Sequence, residues 1–213
     1  MSVHEVKLER LRDIGMKEFS TFGRIIGRDE DTEEGKYDLH PIDAKAAVDN
    51  DMIKAYWDLI PFELTDQERF SMGMLFLKSK KPGEPLDWTE CHKQTNEFFF
   101  PLGGKQLIFV CCPPMAKPDP AKTRAFIVGP DEGVMLGKGT WHYPPFALNG
   151  ITPCLMPRYG KLAPYQGGKV THAFGKDWPT EGPGWIKGAM HALDTEFYGG
   201  DYSDDEYNIQ IVF

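Results

Sequence analysis

Trp88-Thr89-Glu90-Cys91-His92-Lys93-Gln94-Thr95-Asn96-Glu97-Phe98-Phe99-Phe100-Pro101-Leu102-Gly103-Gly104 is the stretch whose reading decides the fold. Side chains alternate along a strand with period two, so Glu90 and His92 point to one face if this segment is extended. Glu97 enters a run of three phenylalanines, and a carboxylate taken into an apolar strand needs a partner. A later run, Gly137-Lys138-Gly139-Thr140-Trp141-His142, ends on a second imidazole. A single buried histidine is ordinarily a hydrogen-bonded core residue. Two imidazoles with one or two carboxylates are instead the N/O donor set of a divalent metal. Glu90 has three open roles: a further ligand, an acceptor for an imidazole N–H, or a general base.

Outward from this stretch, the pattern is one of short strands. Residues 106–112, Gln-Leu-Ile-Phe-Val-Cys-Cys, read as a strand stopped by Pro113-Pro114. Arg124–Val128 is another, closed by Gly129-Pro130-Asp131, and Gly133–Leu136 a third, followed by a Gly137-Lys138-Gly139 turn. Arg69–Lys78 is a strand ahead of the Lys80-to-Pro85 turn, where proline presets φ and glycine supplies the positive φ. Residues 3–19 predict a short N-terminal helix and Gly23–Ile26 an extended piece. Residues 43–51 read as a helix or a connection. Residues 160–190, rich in Gly, Pro and Lys, read as a long loop, lid or wrap, and 208–213 as a terminal strand. Strands punctuated by Gly and Pro, without helices between them, predict an all-β sandwich or barrel and argue against a βαβ architecture. The expected organisation is one domain: 1–64 packing on the barrel, 65–160 as its core, and 161–213 as an extension.

Composition supports a folded β protein: of 213 residues, 41% are hydrophobic and 13% aromatic, with 22 Gly and 17 Pro. A net charge of −8 argues against a nucleic-acid partner, which needs a basic patch. No run approaches the ~18 apolar residues of a membrane span. The four cysteines form no CxxC pair and read as reduced, buried thiols. A cytoplasmic protein with neither a membrane nor a nucleic-acid partner is expected.

The segment from Glu90 to Gly104 resembles the first cupin motif, with Glu90 where the first His usually stands. Gly137-x-Gly139-x-x-His142 resembles the second. Within that superfamily the chain is similar to the ureidoglycolate lyase family. The similarity rests on Phe-Pro-Leu-Gly-Gly at 100–104, on Arg124-Ala125-Phe126 with Gly133-Val134, and on Gly139-Thr140-Trp141-His142-Tyr143-Pro144. Weaker similarity lies in 19–26 and in Tyr56-Trp57-Asp58-Leu59. Departures are Met135-Leu136-Gly137-Lys138, Tyr143 in place of a second His, and the family's Asp-Arg segment. The place of that segment is taken either by Leu155-Met156-Pro157-Arg158, which keeps an Arg but lacks the Asp, or by Leu193-Asp194-Thr195-Glu196, with 149–192 as an insertion.

The resemblance implies a cupin-type jelly-roll and a metal-dependent lyase acting on a small carboxylate substrate of the ureidoglycolate kind. The metal, one of Ni, Mn, Zn or Fe, would be held by His92, Glu97 and His142, with Glu90 as ligand or base. Arg124 would clamp the substrate carboxylate, Trp141 would wall the pocket, and Tyr143 would assist the chemistry. A homodimer is the family expectation. The alternatives are a cupin isomerase of sugars or keto acids, an Fe(II) dioxygenase, or a ligand-binding cupin without catalysis.

Overall fold

The computed structural model describes residues 3–26, 48–55, 65, 68–81, 83–160, 165–166, 169–170, 195–200 and 206–212. The chain opens with strand β1 (His4–Arg10), helix α1 (Leu11–Phe19) and strand β2 (Gly23–Ile26). A short pair follows, β3 (Val48–Asp49) and β4 (Lys54–Ala55). The body comprises β5 (Arg69–Lys78), β6 (Trp88–His92), β7 (Thr95–Pro101), β8 (Leu107–Cys112), β9 (Arg124–Val128), β10 (Gly133–Leu136), β11 (Trp141–Ala147) and β12 (Ile151–Gly160). A second short pair, β13 (Tyr165–Gln166) and β14 (Lys169–Val170), precedes β15 (Thr195–Gly199) and β16 (Ile209–Val212).

Two sheets carry the fold, in the orders β15-β6-β11-β8-β9-β1-β16 and β2-β10-β7-β12-β5. Their inner faces meet in one core. Phe109, Cys111, Phe126 and Val128 come from the first sheet, and Ile25, Phe99, Val134, Leu136 and Cys154 from the second. The Phe99 and Phe109 rings touch edge to face across the gap, with centroids 5.1 Å apart. Each fully buried ring contributes roughly 2–3 kcal/mol by leaving water. Phe19 at the end of α1 and Phe22 close one end of the core against Phe126. This is the expected all-β double sheet with a short N-terminal helix.

The N-terminal helix is shorter than the sequence predicts. His4–Arg10 is a strand, parallel to both β9 and β16. Val6 pairs with Ile211 and Leu8 with Ala125, so pairing with distant strands overrides any helical preference of the segment. Strand β12 was hidden in the sequence by Pro153 and Pro157, yet it pairs along its whole length with β5. The expectations for 27–47, 56–64 and most of 160–190 lie outside the described residues. Among the described residues, no helix is long and apolar enough to cross a membrane.

One feature of the topology positions the site. Strands β6 and β7 are consecutive but belong to different sheets, so the chain crosses the sandwich between His92 and Thr95.

Candidate metal centre

Because of that crossing, the Glu90-to-Glu97 run supplies donors from both sheets. Glu90 and His92 come from β6, and Glu97 comes from the facing β7. His142 joins them from β11, where it lies directly opposite Glu90. Glu90, His92 and His142 each offer one ligand atom, and these three atoms lie within 4.8 Å of one another. Glu97 Oε2 is 3.2 Å from His92 Nε2 and 3.6 Å from His142 Nε2. Glu90 Oε1 stands 3.7 Å from His142 Nε2. All four side chains are buried.

Local backbone contacts hold the imidazoles. His142 Nδ1 lies 3.0 Å from the Thr140 carbonyl, which can only accept. Nδ1 therefore carries the proton, and in the neutral ring Nε2 keeps its lone pair. The Gly139 amide donates to the His92 carbonyl at 2.8 Å, which ties the loop before β11 to the end of β6. Gly139 has φ +83°, a conformation that favours glycine.

The two carboxylates sit in opposite electrostatic states. Burial pushes Glu90 up to about 8, and the negative charge of Glu97 adds to the rise while His142 opposes it. Burial acts on Glu97 in the same sense, but the adjacent His92 and His142 outweigh it and hold Glu97 well below the usual carboxylate range. Glu90 Oε2 is enclosed and has no hydrogen-bond partner. An orphaned buried carboxylate oxygen is costly. With two imidazole Nε2 atoms and a second carboxylate within reach, the donor set fits a divalent cation.

The other three residues singled out in the sequence are not brought to this cluster. Trp141 and Tyr143 flank His142 on one strand, so alternation turns both to the other face of the sheet. Trp141 packs with Cys91 and Cys112, and its Nε1 donates to the Met115 carbonyl at 2.9 Å. The Tyr143 hydroxyl accepts from Lys80 Nζ at 3.1 Å, and its ring lies 4.9 Å from that of Trp88. The guanidinium of Arg124 is engaged elsewhere. Its Nε and Nη2 donate to the two carboxylate oxygens of Glu9 at 2.9 and 2.7 Å, and Nη1 to Glu18 at 2.6 Å. The structure instead places a different arginine beside the cluster. Arg158 of β12 lies in register with Glu97 on the neighbouring strand. The signal that could have found it is the inward alternation Cys154, Met156, Arg158.

A family model described as ureidoglycolate lyase matches residues 5–155. A ureidoglycolate lyase of Salmonella typhimurium is 27% identical over 150 residues, covering 70% of this chain and 86% of that protein. One from Escherichia coli is 28% identical over 142 residues, covering 67% and 81%. Among solved structures, RmlC from Streptococcus suis aligns with a TM-score of 0.33 at 7% identity, covering 48% of each chain. Oxalate decarboxylase of Bacillus subtilis aligns with a TM-score of 0.29 at 15% identity, covering 46% of this chain and 22% of that one. By the extent of the family match, the chain belongs to the ureidoglycolate lyase family.

Proposed function

We propose that this protein is a metal-dependent lyase that splits ureidoglycolate into glyoxylate and urea, or cleaves a closely related α-hydroxy acid in the same manner. The convergence of Glu90, His92, Glu97 and His142 between the two sheets carries this reading, and the family match supports it. His92, Glu97 and His142 are the residues that would hold the cation. A divalent cation there would supply positive charge that lowers the pKa of a substrate hydroxyl. The bond that breaks joins the hydroxyl-bearing carbon to a urea nitrogen. The carbon–oxygen bond becomes a carbonyl, and the hydroxyl proton ends on the departing nitrogen. Glu90 is the group placed to move that proton, because its Oε2 is buried beside the cluster and bonded to nothing.

The test is glyoxylate release from ureidoglycolate by the purified protein, with elemental analysis of the same sample. His92→Ala is expected to lose metal and turnover together. Turnover retained by a metal-stripped His92→Ala variant would overturn the proposal. The assembly proposed is a homodimer. Supporting it is the ten-residue strand β5, at the edge of its sheet, which exposes Phe70, Met72, Met74 and Phe76. Light scattering at the monomer mass would refute that assembly.

A further inference from the structure

Resting on the reading above, we infer that Arg158, with Ser71 beside it, is the subsite of this centre that takes the substrate's carboxylate. Three observations converge. Arg158 pairs with Glu97 on one side, across the β12–β7 ladder, and with Ser71 on the other, across the β12–β5 ladder. Residues directly opposite in antiparallel strands share a face, with Cβ atoms about 5 Å apart. The row Glu97–Arg158–Ser71 therefore runs along the inner face of the five-stranded sheet, starting from a carboxylate that touches both imidazoles.

Each new member of the row carries an enclosed polar atom without a hydrogen bond, Nε in Arg158 and Oγ in Ser71. Among the described residues no ion pair holds the guanidinium, not even with Glu97 one strand away. The side chain as a whole is half-buried. An enclosed cationic donor and an enclosed hydroxyl, adjacent and unsatisfied, are costly to keep in the free protein. A carboxylate satisfies both: the planar fork donates to its two oxygens, and the hydroxyl adds a third donor. The ligand class is a small 2-hydroxy or 2-oxo acid, short enough for its other oxygen to reach the Glu90–His92–His142 group while its carboxylate meets Arg158. The step is binding alone, and no bond is made or broken at the guanidinium.

The ladder geometry supports a built position. Pairing between β12 and β7 skips Met156 and Pro157 and resumes at Arg158. Proline has no N–H to donate to a ladder. At the next turn of the chain Gly160 has φ +141°, and a side chain there would overlap the Gln94 carbonyl. Arg158 is thus held between a proline break and a glycine close approach, on the strand that flanks the cluster.

The experiment titrates glyoxylate into the protein as purified, by calorimetry, alongside Arg158→Gln, Arg158→Lys, Ser71→Ala and Arg124→Gln. Arg158→Gln is expected to weaken glyoxylate roughly 30-fold, the scale of a lost charge-assisted pair. Metal content should be unchanged, and Tm should not fall, since the guanidinium has no ion pair among the described residues and its Nε has no hydrogen bond. Arg158→Lys should recover part of the loss, Ser71→Ala should weaken binding a few-fold, and Arg124→Gln should bind as wild type. In turnover, Arg158→Gln should raise KM far more than it lowers kcat. Glyoxylate affinity and KM unchanged in Arg158→Gln, or no glyoxylate binding by the wild type, would overturn the inference. Arg158-dependent glyoxylate binding by a protein that does not turn over ureidoglycolate would uphold this subsite and defeat the proposed reaction.

Discussion

Replacing Arg124 by Gln separates what the sequence suggests from what the structure shows. The guanidinium grips Glu9 with two hydrogen bonds, joining β9 to β1, and reaches Glu18 on α1. The side chains of Arg124 and Glu9 are 26% and 32% exposed, so the fork is partly screened but better than a surface pair. A bidentate pair in that setting contributes about 1 kcal/mol. Glu18 is 54% exposed, and its contact contributes little. The guanidinium also lies 5.2 Å from the Phe126 ring centroid, worth about 0.5 kcal/mol. The expected loss of about 1.5 kcal/mol corresponds to a Tm drop of roughly 3–6 °C for a domain of this size. Thermal unfolding followed by circular dichroism measures it, and 0.5 M KCl should shrink the difference between wild type and variant. KM for ureidoglycolate should not change. An unaltered Tm together with a tenfold rise in KM would show that Arg124 binds substrate and that the reasoning is mistaken.

Metal loading at pH 7 should release close to one proton per ion, because Glu90 is pushed up to about 8 and must shed its proton to face a cation. Calorimetry in buffers of different ionisation enthalpy reads this, and the release should fade above pH 9. A carboxyl with a raised folded pKa holds a proton that the unfolded chain has lost. The metal-free wild type should therefore lose stability relative to Glu90→Gln as pH climbs from about 4.5 to about 8, a trend that urea melts across that window would reverse or erase if Glu90 were ordinary. Gly160→Ala should cost roughly 3 kcal/mol or more, because the new Cβ meets the Gln94 carbonyl at a positive φ; a wild-type urea midpoint would contradict it. The four cysteines are all buried, and burial pushes Cys111 up strongly and Cys154 to about 11. A thiol reagent should find none in the native protein within minutes and all four after unfolding; rapid native labelling would count against this packing.

The fold was legible where local chemistry decides it. β8, β9 and β10 are apolar runs bounded by Pro or Gly, and the donors at 90, 92, 97 and 142 stand at spacings that survive into three dimensions. It was illegible where distant pairing decides it. Nothing near His4–Arg10 announces that Val6 will lie against Ile211 and Leu8 against Ala125. Strand β12 carries two prolines, which ordinarily demote a segment to an edge, yet it lies between β5 and β7. Its ladder to β7 simply breaks at Met156 and Pro157.

Trp141 and Tyr143 lie apart from the cluster for a different reason, the period-two alternation of a strand. Period-two alternation put Glu90 and His92 on one face. Applied to Trp141-His142-Tyr143, it allows only the middle residue to share a face with the cluster. Choosing His142 as a donor therefore commits its neighbours to the other side, where they pack with Cys112 and Val110. The same rule extended to β12 turns Cys154, Met156 and Arg158 inward together, and the first two are found in the core. A cation at the third inward position of a strand beside Glu97 then needs a reason to be there. Arg124 has its charge matched by Glu9 and Glu18, whereas Arg158, one strand from Glu97, has no ion pair among the described residues.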